Sequence, residues 1–292
     1  MTTAFLPFHI TYVQAILTGL VQGITELFPV SSLGHAVLVP AWIGGSWSKF
    51  TSDAESPYLP FTVFLHFASA LALFWVFRKR WIELIAAGLG SAKKRKTEAG
   101  RVFWLLVIAT LPVGIIGLVF EHDLRTLFAK PLAASIFLTI NGAILLTAER
   151  LSRKKVDPVQ GSENHEIVEH ITPRVAITVG LGESLALFAG ISRFGVTTSV
   201  GLLRRLTHAV ASDFAFLAAL PVIMAASIYK IPEALSSQYS SMRPQMFAGA
   251  IVSFIATYFS VKFLVRYFKT RTLYPFAIYC FIVGIASIIK FG

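Results

Sequence analysis

Two stretches of this chain repeat each other, and both place polar groups inside long apolar runs. They are Gly19–His35 and Gly180–Gly195. At a constant offset of 161 residues, Gln22 matches Glu183, Ser31 matches Ser192, Ser32 matches Arg193 and Gly34 matches Gly195. Each stretch is an apolar helical pattern that breaks at a turn rich in Gly, Ser or Pro and then resumes. Interrupted hydrophobic segments at corresponding positions of two halves point to a binding site buried at the middle of a membrane.

Composition supports a membrane setting. The 292 residues are 55% hydrophobic and only 14% charged, where a soluble domain carries about a quarter charged residues. The expected fold is an all-α polytopic membrane protein, one integral domain over residues 1–292. Six spans are expected, at Phe61–Phe77, Val102–Phe120, Leu132–Ala148, Phe214–Ile231, Gln245–Val265 and Leu273–Ile289. Each approaches the roughly 20 residues that a bilayer requires. The block Thr11–Ile43 is cut by Pro29 and a polar tip, so neither part can cross. It reads as a re-entrant hairpin, and Arg174–Leu206 reads the same way with its break at Gly190–Arg193. Irregular backbone at such depth must face protein or a watery cavity. The internal repeats run from about residue 11 to 151 and from about 173 to 291.

The net charge of +11 is distributed as a topology signal rather than as a nucleic-acid patch. Of the Lys and Arg, Arg78–Arg101 holds eight, Arg150–Arg174 five and Lys262–Arg271 four. With Arg204 and Arg205 these fall on one side. Lys49, Arg125, Lys130, Lys230, Arg243 and Lys290 fall on the other, and Arg193 stands alone inside. Cytoplasmic loops carry the excess of Lys and Arg, so the basic side is cytoplasmic and membrane lipid is the partner of Lys93–Lys96. By parity the chain starts outside, which argues against a cleaved leader with its basic start. The first hairpin then enters from the exterior and the second from the cytoplasm. The halves form an inverted-topology repeat whose tips can meet at the midplane. The single cysteine, Cys280, leaves no disulfide framework and no Cys-based metal motif.

The tips carry the chemistry. Gln22 and Glu26 are one helical turn apart and share a face. Ser31, Ser32 and His35 follow the break, where Ser31 or Ser32 can cap the returning half-helix. A helix N-terminus favours anions, and Arg193 at the other tip offers a planar fork for phosphate oxygens. A pocket of Glu26, Glu183, an amide, hydroxyls, an imidazole and a guanidinium suits an anion or a metal–phosphate group. Ser31 also reads as a plain cap, Gln22 as a strut, and a Glu26–Arg193 ion pair as structural. His66 and Asp213 read as hydrogen-bond anchors.

At these residues the chain resembles the undecaprenyl-pyrophosphate phosphatase family of the BacA (UppP) type, linked to bacitracin resistance. The family's first motif matches Gln22–Glu26 and Pro29–His35. Its second, Pro-Gly-x-Ser-Arg-Ser-x-x-Thr, matches Ala189–Thr197, with Ala189 and Phe194 replacing the Pro and the second Ser. The likeness also covers Ala211–Phe214 and Pro275–Tyr279. Members often carry Glu in the first repeat and Gln in the second; here Gln22 and Glu183 look exchanged, as if the carboxylate had moved across the pseudo-two-fold while preserving the pocket's charge.

The resemblance implies hydrolysis of undecaprenyl pyrophosphate to the monophosphate carrier lipid of cell-wall synthesis, in the bacterial cytoplasmic membrane. Arg193 and the half-helix N-termini would clamp the pyrophosphate, with Ser31, Ser192, Thr197 and Gln22 binding substrate. Glu26, with Glu183 or Gln22, would hold a magnesium or calcium ion. Ser32 is the expected nucleophile and His35 its base, with His35 or water as alternative attackers. The site would face the periplasm or exterior, and a homodimer is a candidate assembly. The rival reading is a transporter or flippase of polyprenyl phosphate lipids, for which inverted repeats are also suited.

Overall fold

Apolar runs of this length and composition form helices, and in the computed structural model, which describes residues 10–52, 56–120, 130–152 and 162–292, every regular element is a helix. The loop cations Arg125, Arg153, Lys154 and Lys155 counted above lie outside these residues. In chain order the helices are α1 Tyr12–Thr25, α2 Ser32–Ile43, α3 Gly45–Ser52, α4 Tyr58–Gly88, α5 Ala92–Arg95, α6 Glu98–Val119, α7 Pro131–Ser152 and α8 Glu163–His170. They continue with α9 Pro173–Ser184, α10 Arg193–Leu203, α11 His208–Ala234, α12 Arg243–Tyr267 and α13 Tyr274–Phe291. Six of them, α4, α6, α7, α11, α12 and α13, are long and apolar enough to cross a membrane. They coincide with the six expected spans, so this is a multi-pass membrane protein. α4 continues past the span to Gly88, and α8 forms in a loop whose sequence reads only as charge.

The starts of the helices follow from local sequence. Thr11 and Gln14 build a reciprocal capping box: the Thr11 Oγ1 accepts from the Gln14 N–H at 3.2 Å and the Gln14 Oε1 accepts from the Thr11 N–H at 3.0 Å. Thr97, Ser162, Thr172 and Thr207 cap α6, α8, α9 and α11 in the simpler way. Large apolar side chains such as Ile115, Val119, Ile282 and Ile289 remain exposed. In lipid these need no cover, and helices associate instead through close packing and interhelical hydrogen bonds. Ser69 of α4 shares a 2.9 Å hydrogen bond with Ser253 of α12 and accepts another, also 2.9 Å, from Thr257.

The helix contacts fall into matching pairs. α1 packs on α12 while α9 packs on α6; α4 packs on α12 while α11 packs on α6; α4 meets α11, and α7 meets α13. Gly19 of α1 lies against the Gly249 carbonyl of α12, and its counterpart Gly180 of α9 lies against the Ala109 carbonyl of α6. A Cβ at either glycine would collide with that carbonyl, so both crossings depend on the missing side chain.

Candidate active site

The site is built at the two helix breaks. α1 ends where the Glu26 N–H bonds the Gln22 carbonyl at 2.9 Å. The chain then turns through Leu27–Ser31. Ser31 has φ of 69°, a region that costs a non-glycine residue about 1–3 kcal/mol. That conformation lets its Oγ accept from the Gly34 N–H at 3.2 Å, capping α2, and from the Gly190 N–H of the other break at 3.0 Å. Ser192, its counterpart, caps α10 by accepting from the Gly195 N–H at 3.1 Å and donates to the Phe28 carbonyl at 3.3 Å. Each serine thus caps its own helix and bonds the opposite turn. Gly190 has φ of 115°, and a Cβ there would come within 2.5 Å of the Ala134 carbonyl.

Asn141 of α7 ties the turns together. Its Nδ2 donates to the Pro29 carbonyl at 2.8 Å and its Oδ1 accepts from the Ser192 N–H at 3.0 Å, with the side chain fully buried. No motif marks this residue in the sequence; it is one polar position in an apolar span. Asn141→Ala leaves the buried Ser192 N–H without a partner, at about 1–3 kcal/mol, and leaves the Pro29 carbonyl with only the weak Cys280 thiol at 3.9 Å. A drop in the thermal unfolding midpoint of the detergent-solubilised protein is the expected result. An unchanged midpoint would remove Asn141 from the clamp.

Between the breaks lies a small recess bounded by Glu26, Ser31, Ser32, Leu33, His66, Ala186, Ile191, Ser192 and Arg193. Three groups converge on the Glu26 Oε2: the Ser32 hydroxyl donates at 2.5 Å, the Gln22 amide donates at 2.7 Å, and the His66 Nε2 lies at 3.4 Å. The His66 Nδ1 is 2.8 Å from the Thr62 carbonyl. A carbonyl only accepts, so Nδ1 carries a hydrogen and Nε2 is the nitrogen left for the recess. The Nε and Nη1 of Arg193 are buried with no hydrogen-bond partner among the described residues. Buried donors are rarely left so, and these are the groups an oxyanion would satisfy.

Several sequence expectations need correction here. His35 does not pair with Ser32. Its Nδ1 bonds the Ser31 carbonyl at 2.7 Å, one helical turn back, and its Nε2 bonds the Tyr279 hydroxyl at 2.8 Å. Both ring nitrogens are therefore occupied, and the carboxylate of Glu26 takes the Ser32 hydrogen instead. His66, read as an anchor, is the histidine at the recess; it arrives from α4, too far along the chain for any local spacing to connect it to Ser32. Asp213 pairs with Arg80 at 3.8 Å. Glu183 does not line the recess: its Oε1 accepts from the Thr197 hydroxyl at 2.5 Å, while its Oε2 is buried without a hydrogen-bond partner among the described residues. Thr197 and Gln22 are thus committed to carboxylates rather than to the recess. The exchange of Gln22 with Glu183 does not restore a second carboxylate beside Glu26. Phe194, in place of the motif's Ser, is buried against Phe216 with ring centroids 4.7 Å apart.

These features define a class: multi-pass helical membrane proteins with a buried polar recess formed where two broken helices meet. The family model described as "Bacitracin resistance protein BacA" matches residues 15–286, and the chain belongs to that family. Among curated relatives, "Undecaprenyl-diphosphatase 2" of Frankia alni is 44% identical, covering 97% of this chain and 99% of the relative. "Undecaprenyl-diphosphatase" of Mycolicibacterium paratuberculosis is 43% identical over 96% of this chain and 97% of the relative. "Undecaprenyl-diphosphatase 2" of Chromobacterium violaceum is 38% identical over 95% and 98%.

Proposed function

We propose that this protein is an undecaprenyl-diphosphatase, hydrolysing the lipid pyrophosphate to undecaprenyl phosphate and inorganic phosphate for reuse in cell-wall synthesis. The observation that carries this reading is the 2.5 Å Ser32–Glu26 hydrogen bond in the recess shared with the unpartnered guanidinium of Arg193. Phosphoryl transfer is mostly positioning and charge stabilisation, and this recess offers both. Ser32 Oγ attacks the terminal phosphorus while its proton passes to the Glu26 Oε2. The bond to the bridging oxygen breaks, and polyprenyl phosphate leaves. Arg193 holds the non-bridging oxygens. Water then cleaves the phosphoserine: the proton held by Glu26 returns to the Ser32 Oγ as the P–O bond breaks, and both water hydrogens leave on the released inorganic phosphate. His66 stands beside the carboxylate that handles these protons. His35 braces the Ser31 turn.

A magnesium or calcium ion fits one part of this donor set. Among the described residues no three His, Cys, Asp or Glu side chains gather as a metal cage, and Glu183 lies outside the recess. Glu26 can still serve as the single carboxylate of a hard cation that completes its shell with phosphate oxygens and water, as magnesium commonly does. Such an ion would neutralise charge on the transferred group.

The same reading takes the breaks as re-entrant hairpins and the halves, about residues 11–151 and 173–291, as an inverted repeat. The matched helix contacts and the paired glycines 19 and 180 support it. The positive-inside distribution supports a recess that faces the periplasm or exterior of the cytoplasmic membrane. The test is release of inorganic phosphate from the lipid pyrophosphate by purified protein in detergent, with magnesium, calcium or chelator present and with lipids of different length. No release under any condition overturns the hydrolase reading in favour of a carrier.

A further inference from the structure

A second and larger cavity opens at the other end of the second half. It is bounded by the end of α10, the start of α11, the end of α7 and the α12–α13 loop. Its floor is apolar: Leu202, Leu206 and Phe268 line it and are 2%, 0% and 1% exposed. Its rim is basic. Lys269 and Arg271 line it, both are exposed, and neither side chain makes a hydrogen bond or ion pair among the described residues. The first turn of α11 adds oriented backbone. Thr207 spends its hydroxyl on the Val210 N–H at 3.3 Å, while His208 and Ala209, the first two residues of a 27-residue helix, line the cavity. The helix dipole favours an anion there.

The neighbouring carboxylates do not cancel this field freely. Glu149 accepts from the His208 Nε2 at 2.8 Å and from the Leu273 N–H at 3.0 Å. Glu166 accepts from the Thr207 N–H at 2.6 Å. Each is held by donors, and among the described residues neither is paired with Lys269 or Arg271.

We propose that this cavity binds the phosphate headgroup of an anionic phospholipid. The commitment to lipid rather than to soluble phosphate rests on the apolar floor under a cationic rim, at the ends of spanning helices on the side that carries most of the Lys and Arg. Basic pockets between helices at that level suit anionic headgroups. The inference goes beyond the hydrolase reading and does not depend on it.

The test is native mass spectrometry of the detergent-solubilised protein with phosphatidylglycerol and phosphatidylcholine at equal concentration. The parent protein is expected to retain phosphatidylglycerol preferentially. In the double variant Lys269→Ala with Arg271→Ala that preference should fall about tenfold, since two basic contacts are lost. The double variant Lys49→Ala with Lys130→Ala removes the same charge from exposed positions that do not line the cavity, and should keep the parent preference. Equal retention of the two lipids by the parent, or an equal fall in both variants, overturns a defined site. Displacement of phosphatidylglycerol by millimolar inorganic phosphate overturns the lipid assignment and makes the cavity a site for soluble phosphate.

Discussion

Glu26→Gln is expected to lower phosphate release by on the order of 10²–10⁴-fold, the usual worth of a positioned general base, while the unfolding midpoint changes little. The substitution keeps shape and removes charge. In the native site the Glu26 Oε2 receives the Ser32 hydroxyl at 2.5 Å and the Gln22 amide at 2.7 Å. A Gln side chain can still accept one of these bonds through its carbonyl oxygen. It cannot take the proton that Ser32 must lose, and it offers a poor ligand to a hard cation. Both roles assigned to this carboxylate should fail together. Turnover near the parent value would withdraw Glu26 from the chemistry and leave its contacts as packing.

Arg193→Lys is expected to cost about two orders of magnitude or more in kcat/KM. Arg presents donors in a fixed fork that matches two phosphate oxygens, whereas Lys is a compact point charge on a flexible stem. The fork matters here because Nε and Nη1 are buried without protein partners among the described residues. The Lys variant keeps one charge and loses the paired geometry. Measuring kcat and KM separately locates the loss: a rise in KM alone means that Arg193 holds ground-state substrate, and a fall in kcat means that its grip tightens as the phosphoryl group transfers. Equal constants in variant and parent would reduce Arg193 to a structural counter-charge of Glu26.

The sequence reveals the spans and the breaks because their signals are local. Runs such as Val102–Phe120 need only length and apolarity to be recognised, and Ser31, one of the two serines whose position after the first break suits a cap, does cap the helix that follows it. What the sequence hides is partnership across the fold. His35 lies close to Ser32 in sequence yet turns to Tyr279 of α13, and His66 reaches Glu26 from α4. The offset that aligns Gln22 with Glu183 compares backbone positions. It does not reveal that Thr197, one turn into the next helix, draws the Glu183 carboxylate away from the recess. Asn141 was invisible for the same reason: its partners, Pro29 and Ser192, belong to two different turns.

The crossed serine caps also govern when the site can come into being. Ser31 holds its left-handed turn partly through the Gly190 N–H, and Ser192 anchors to the Phe28 carbonyl. A chain emerging from the ribosome has the carboxylate and the hydroxyl long before it has the guanidinium. Until the second break is made, the first lacks a cross-bond, Asn141 lacks the Ser192 N–H, and Arg193 is not yet beside Glu26. Hydrolytic competence is therefore a late event in biogenesis, reached only when both halves have been inserted and their tips have locked. A truncated product ending before Arg193 would reside in the membrane without cleaving anything.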